Sequence, residues 1–371
     1  MEVLYFVFAC FMVAATLDRI FGNRLGLGKE MEKGVMLLGT MTLSMVGMIV
    51  LSPVIAELLL PVLEPLNRFI GLEPSVIMGS LFANDMGGAP LSLQTATTET
   101  SGYFNGLVVA SMLGATVSFT IPLALGVIDK KHHKDVALGM LCGIITIPVG
   151  CLVSGLILRM SIGELLKNLI PLAIFSGIIA VCLGLWQQAT VKVFTIFGKF
   201  VQILVAVGLA IGLFTFLTDI TVLKDTAPLM DGMNVVINAT AVMTGAFPLV
   251  YLLSKILKKP LTFLGKFIGI NEIAAMGLVS CLATNVTTIG MVDGMNKKGV
   301  VLNMAFAVSG AFVFAGHLAF TVSMNPDYLV AVIVGKLAGG ISAVILANFI
   351  FKRSERSAAA AKTAEVVSVE A

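Results

Sequence analysis

Residues 74–96 read PSVIMGSLFANDMGGAPLSLQTA. The stretch is apolar enough to enter a bilayer, yet Asn84-Asp85-Met86-Gly87-Gly88 sets a carboxylate and two glycines at its centre. A charge at bilayer depth costs several kcal/mol, and irregular backbone is tolerated there only where it lines a cavity or is buried in protein. The stretch therefore predicts a broken hairpin that builds a site, not an anchor. A positively charged solute is the partner that would offset the cost of the carboxylate.

The rest of the chain supplies the membrane context. With 58% hydrophobic and 12% charged residues and a mean hydropathy of +1.02, it lies far outside the range of soluble domains. The lipid bilayer is its first partner. The net charge of +3 does not point to nucleic acid, because the positive residues sit between apolar segments and report on topology. The five cysteines, Cys10, Cys142, Cys151, Cys182 and Cys281, lie in apolar segments without CxxC spacing, so they read as small buried side chains and not as disulfides. His132 and His133 share a charged loop and only His317 lies in a span, too few ligands for a metal centre. No cofactor motif is present.

Apolar runs near the roughly 20 residues that a spanning helix needs fall at 3–21, 34–55, 102–128, 135–158, 165–186, 194–217, 234–257, 299–322 and 328–351. The first lacks the basic region of a secretory signal and reads as a retained span. Two further apolar stretches, 74–96 and 270–292, are interrupted by Gly, Asn, Asp and Thr. Charge placement decides how these two behave. If all eleven segments cross, the Lys and Arg residues outside spans divide 13 to 10 between the faces, which orients nothing. If the broken stretches enter and leave on one side, the division is 19 to 4, with Arg24, Lys29, Lys33, Lys130, Lys131, Lys134, Lys258, Lys259, Lys297, Lys298, Lys352 and Arg353 on the rich face. Cytoplasmic loops carry the Lys and Arg excess. The expectation is an all-α polytopic membrane protein with about nine transmembrane helices plus two re-entrant hairpins, N-terminus outside and C-terminus cytoplasmic.

A weak self-similarity agrees with this topology. At an offset of 196 residues, Gly114-Ala115 falls on Gly310-Ala311, Val117 on Val313, and Gly139, Leu141 and Gly143 on Gly335, Leu337 and Gly339. Residues 1–160 and 193–351 then form two inverted structural repeats, joined by a linking helix in 161–192 and followed by a flexible cytoplasmic tail, 352–371.

The first hairpin offers Asn84, Asp85, Gly87, Gly88, Ser92, Gln94 and Thr95. Its glycines permit turns that free backbone groups, and Asp85 supplies a full negative charge. The bland alternative pairs Asp85 with Lys336, which could also snorkel to its interface. The second hairpin, with Ser280, Thr284, Asn285, Thr287 and Thr288, suits hydrogen bonding to a hydroxyl, or interhelical glue. Asn271 and Glu272 open a helix there and read first as a cap and its acidic neighbour, with Glu272 a second carboxylate if that helix begins in a cavity. His317 could donate to a substrate, or simply bond a neighbouring carbonyl. Glu57, Glu64 and Glu73 follow a proline-marked span end and are expected on the outer surface.

Several separated, uncommon runs carry a family resemblance: Asn84-Asp85-Met86-Gly87-Gly88, Ile273-Ala274-Ala275-Met276-Gly277, Ala305-Phe306-Ala307-Val308-Ser309, Gly316-His317-Leu318 and Ile333-Val334-Gly335-Lys336-Leu337. With Thr146-Ile147-Pro148-Val149-Gly150-Cys151 and Met45-Val46-Gly47-Met48 they span nearly the whole chain in order. They resemble the EutH family of ethanolamine-utilisation permeases. The resemblance implies import of ethanolamine or a related small amine across a bacterial cytoplasmic membrane, with Asp85 as partner of the ammonium. The chain departs from the family where Gly316 stands in place of an Asp before the histidine, and again after Gly88. Glu272 is a candidate to restore that charge, and the departures imply altered choice among small amines.

As a permease the protein works by alternating access or facilitated diffusion, with coupling open between passive movement of the cation and proton symport through Glu272 or His317. The alternative is a small-amine sensor or scaffold with a partner-binding tail. An enzyme is disfavoured, since no nucleophile, base or metal constellation appears. A homo-oligomer is compatible with either function.

Overall fold

The computed structural model describes residues 2–370, with side chains other than those of 2–4, 70, 254, 257–259, 261–264, 266 and 355–370. The side chains of Lys258 and Lys259 on the lysine-rich face, and those of the expected tail from position 355, lie outside what is described. Among the described residues the chain is helical without strands. The first half contains α1 (Glu2–Ile20), α2 (Leu27–Met41), α3 (Gly47–Ile70), α4 (Pro74–Leu81), α5 (Gly88–Thr95), α6 (Glu99–Tyr103), α7 (Ile121–Val127) and α8 (His133–Ile157). The second contains α9 (Ile162–Leu185), α10 (Gln187–Thr218), α11 (Leu229–Ile268), α12 (Glu272–Ala283), α13 (Asn285–Gly290), α14 (Lys297–Gly310), α15 (Gly316–Met324) and α16 (Leu329–Glu370).

Among the described residues, seven helical stretches are long and apolar enough to cross a bilayer: Leu27–Phe69, Glu99–Val127, Lys130–Ile157, Ile162–Leu185, Gln187–Thr218, Leu229–Leu253 and Pro326–Ser354. The 299–322 run, expected as one span, is instead two short helices, α14 and α15, separated by non-helical residues 311–315. The cause is tertiary. The Phe312 amide donates to Cys281 O at 3.1 Å and the Phe314 amide to Leu282 O at 3.0 Å, so these amides bond the end of α12 and not their own helix. The run expected at 102–128, by contrast, stays helical through Val127. It widens into π-helix over Phe104–Gly114 and Thr116–Thr120. The backbone of the expected tail is helical as far as Glu370.

α8, α14 and α16 pack together as the centre of the molecule. Small residues let α8 and α16 approach: a Cβ on Gly150 would lie 2.6 Å from Gly335 O, and Ser154 Oγ donates to Ala331 O at 2.8 Å. Close backbone contact of this kind drives helix association where lipid removes the hydrophobic incentive. The α4–α5 hairpin docks on the π-helix; in the second hairpin α12 docks on α14 and α13 on α7. Glu73, expected on the outer surface, is buried at the base of the first hairpin, where it accepts from Ser75 Oγ at 2.9 Å, from the Thr97 amide at 3.0 Å and from Thr97 Oγ1. Two bonded ends of the hairpin offset the cost of burying that carboxylate.

Candidate functional site

The first hairpin breaks where its sequence says it should. α4 stops at Leu81, Phe82 and Ala83 run extended, and Asn84–Met86 forms one 3-10 turn. Gly87 then takes φ +111°, a conformation closed to most side chains, and a Cβ there would meet Met48 at 2.5 Å. The π-helix holds the turn in place: the Ala83 amide donates to Ser118 Oγ at 3.2 Å, and a Cβ on Gly114 would lie 2.0 Å from Phe82 O.

This turn presents two adjacent polar side chains in different states. Asn84 is fully buried, and neither its Oδ1 nor its Nδ2 has a partner. Asp85 retains partial exposure and, among the described residues, has no cation within ion-pair distance. α15 packs against the turn. Its second residue, His317, is buried with Nδ1 unpartnered. A buried polar atom without a partner costs about 1–3 kcal/mol, and native proteins leave few of them. Their gathering at one turn beside an unpaired carboxylate suits a small ligand carrying both a cation and a hydrogen-bonding group.

Lys336, weighed from sequence as a salt-bridge partner or an interfacial snorkeler, is neither. It is fully buried, and its Nζ donates to Ser111 O of the π-helix at 2.6 Å. Asp85 lies within its electrostatic reach but not in contact. A charge inside an apolar run was the signal; its depth was not readable.

Phe312 lies beside His317 of this cluster. Its ring lies 5.0 Å from that of His317 and 6.0 Å from that of Phe119, and its backbone takes φ +60°, unusual for a bulky residue. Phe312 also lines a cavity of about 570 Å³, together with Ser280, Thr284, Thr287, Ala315 and Gly316 and with Tyr251 and the Glu30–Lys33 ion pair. A second cavity, of about 440 Å³, meets the opposite end of α15 at Val322 and Ser323, beside Pro326, Tyr5 and Asn238. The nine-residue α15 thus stands between two cavities.

The structure brings together Asn84, Asp85, Gly87, Gly88 and His317, and places Thr284 and Thr287 on the neighbouring cavity. Asn285 is buried apart from that cavity, its Nδ2 donating to Thr120 Oγ1 at 2.9 Å. Asn271 caps α12, accepting from the Ala274 amide at 3.2 Å, and its Nδ2 donates to Gly294 O. Glu272 beside it is exposed. The length of α12, about 18 Å at 1.5 Å per residue, separates these two from the second hairpin's turn.

A sequence profile of the family described as "Ethanolamine utilisation protein, EutH" matches residues 1–350. A Listeria monocytogenes protein named "Probable ethanolamine permease EutH" is 42% identical over 354 residues, 95% of this chain and 94% of that one. An Escherichia coli K12 protein of the same name is 34% identical over 395 residues, 96% of this chain and 97% of that one. "Uncharacterized protein YxeR" of Bacillus subtilis is 36% identical, covering 93% of this chain and 94% of its own. No solved structure matches the chain.

Proposed function

This chain belongs to the EutH family of ethanolamine utilisation proteins, and from that premise we propose that it is a permease importing ethanolamine across a bacterial cytoplasmic membrane. The observation that carries the site is Asp85, unpaired at the turn of a broken helix and flanked by the unpartnered polar atoms of Asn84 and His317. Asp85 takes the ammonium, replacing part of its hydration with a charge-assisted hydrogen bond. Asn84 and His317 take the hydroxyl, and the hydroxyls of Thr284 and Thr287 line its route.

Cavities at both ends of α15 support alternating access, the short helix with Phe312 closing one side while the other opens. The proposed frame is about nine crossing helices with the hairpins at 74–96 and 270–292 entering from opposite faces, the N-terminus outside and the C-terminus cytoplasmic. Residues 1–160 and 193–351 are the inverted repeats, 161–192 links them, and 352–371 forms the cytoplasmic tail.

The test is uptake of labelled ethanolamine into proteoliposomes. Saturable uptake is expected with the native chain, and a loss of about tenfold or more with Asp85→Asn, since each tenfold corresponds to about 1.4 kcal/mol of lost interaction. Uptake unchanged by Asp85→Asn would return that carboxylate to a structural role.

A further inference from the structure

Lys336 is the only Lys or Arg among the described residues whose side chain is fully buried. An ammonium carries three donors, yet this one makes a single hydrogen bond, to Ser111 O. The titratable groups that face it are Asp85 from the first hairpin, Cys151 from α8, Cys281 from α12 and His317 from α15; the π-helix and α14 present none there. The one carboxylate within electrostatic reach of this buried ammonium is therefore Asp85, and the two do not touch.

That arrangement is electrically balanced only while the carrier is empty. A substrate ammonium arriving at Asp85 would leave two cations beside one carboxylate in a medium of low dielectric, where an uncompensated charge is prohibitively costly. One positive charge must leave. Lys336 cannot withdraw to water, because its stem is packed on every side, but an ammonium, unlike a guanidinium, can release a proton.

We propose that Lys336 is an internal counter-cation that makes the protein an electroneutral exchanger of a small alkylammonium for a proton. In the empty carrier, protonated Lys336 neutralises Asp85. When the amine cation binds from one side, the Nζ–H bond breaks and the proton passes to water on that side, the electron pair remaining on nitrogen. When the amine leaves on the other side, Lys336 takes a proton from there. One amine cation moves in and one proton moves out per cycle, so the membrane potential does no work on the exchange.

This inference rests on the permease reading, and the experiment separates the two. Proteoliposomes carrying a lumenal pH dye are given ethanolamine at a pH where nearly all of it is cationic, with potential clamped by potassium and valinomycin. Protein-free vesicles correct for diffusion of the free base. The native chain should alkalinise the lumen by one proton per amine, at a rate that an inside-negative potential leaves unchanged. Lys336→Gln should carry net charge, its uptake rising with the potential and its proton movement lost. Lys336→Arg keeps the buried charge but cannot give up a proton, and should lose uptake by about tenfold or more. Potential-driven uptake without proton movement in the native chain would overturn the exchange and leave the permease standing. Native-like transport by Lys336→Arg would do the same, so the test survives if Lys336→Gln fails to fold. Absence of any uptake by the native chain would overturn both.

Discussion

At the residue scale, Asn84 separates a functional site from a merely tolerated irregularity. Its two unpartnered polar atoms burden the folded state, and exchanging such a group for an apolar one of similar shape is nearly neutral or stabilising. Asn84→Leu is therefore expected to hold or raise the melting temperature in detergent while raising KM for ethanolamine about tenfold; a fall in melting temperature with KM unchanged would make Asn84 structural. Gly316 offers the converse test. No atom lies within 4 Å of an added Cβ there, and the position borders the cavity. Gly316→Asp should fold normally and lower KM by placing a second carboxylate beside the ammonium's route, whereas Gly87→Ala, forced to φ +111° against Met48, should destabilise by about 1–3 kcal/mol. Asp85 was legible from sequence because a carboxylate in an apolar run demands a reason. Lys336 was legible as a charge only, since its depth depends on how closely α8 and α16 approach.

At the scale of elements, breaks written in Gly, Asn, Asp and Thr were readable, and those imposed by neighbours were not. Residues 311–315, Ala-Phe-Val-Phe-Ala, suit a helix and leave it because the carbonyls of Cys281 and Leu282 claim their amides. The π-helix of the first half left no trace in the pattern either. A clasp between the halves is equally tertiary: Asp293, at the base of the second hairpin, meets Lys131 Nζ at 2.9 Å and His132 Nε2 at 3.1 Å. The Lys131 hydrogen bond, and then its charge, hold the Asp293 carboxyl below its ordinary value of 3.8. A depressed carboxyl stabilises the fold above its unfolded pKa, and that contribution fades as pH falls through the folded one. Because the clasp is exposed, Asp293→Asn should lower the melting temperature only slightly at pH 7, and the gap to the native chain should close on acidification below the carboxylate range. A gap that persists there would mean that packing, not charge, holds the hairpin base.

At the scale of the molecule, the proposed inverted repeat has a second register beside the offset of 196 residues. Thr98 and Asn296 are both N-caps accepting from an amide three residues on, Gly79 lies against Asn105 as Gly277 lies against Asn303, and each pair is 198 residues apart. After the π-helix the glycine correspondences return to 196. The first half thus holds two residues more than the second between these points, and π-helix, with i→i+5 bonding, is how a helix accommodates extra residues without a break. A repeat that preserved hairpin bases while inverting their direction must set equivalent positions on opposite faces. Glu99 and Lys297 are such a pair, both exposed and each directly after its cap. In a background with exposed Cys10 replaced by Ala, an impermeant maleimide added to intact cells should label Glu99→Cys and spare Lys297→Cys, which should react only once the cytoplasmic face is opened. Labelling of both from outside would mean that the hairpin bases share a face, and the 19-to-4 division of Lys and Arg would then have no topological cause.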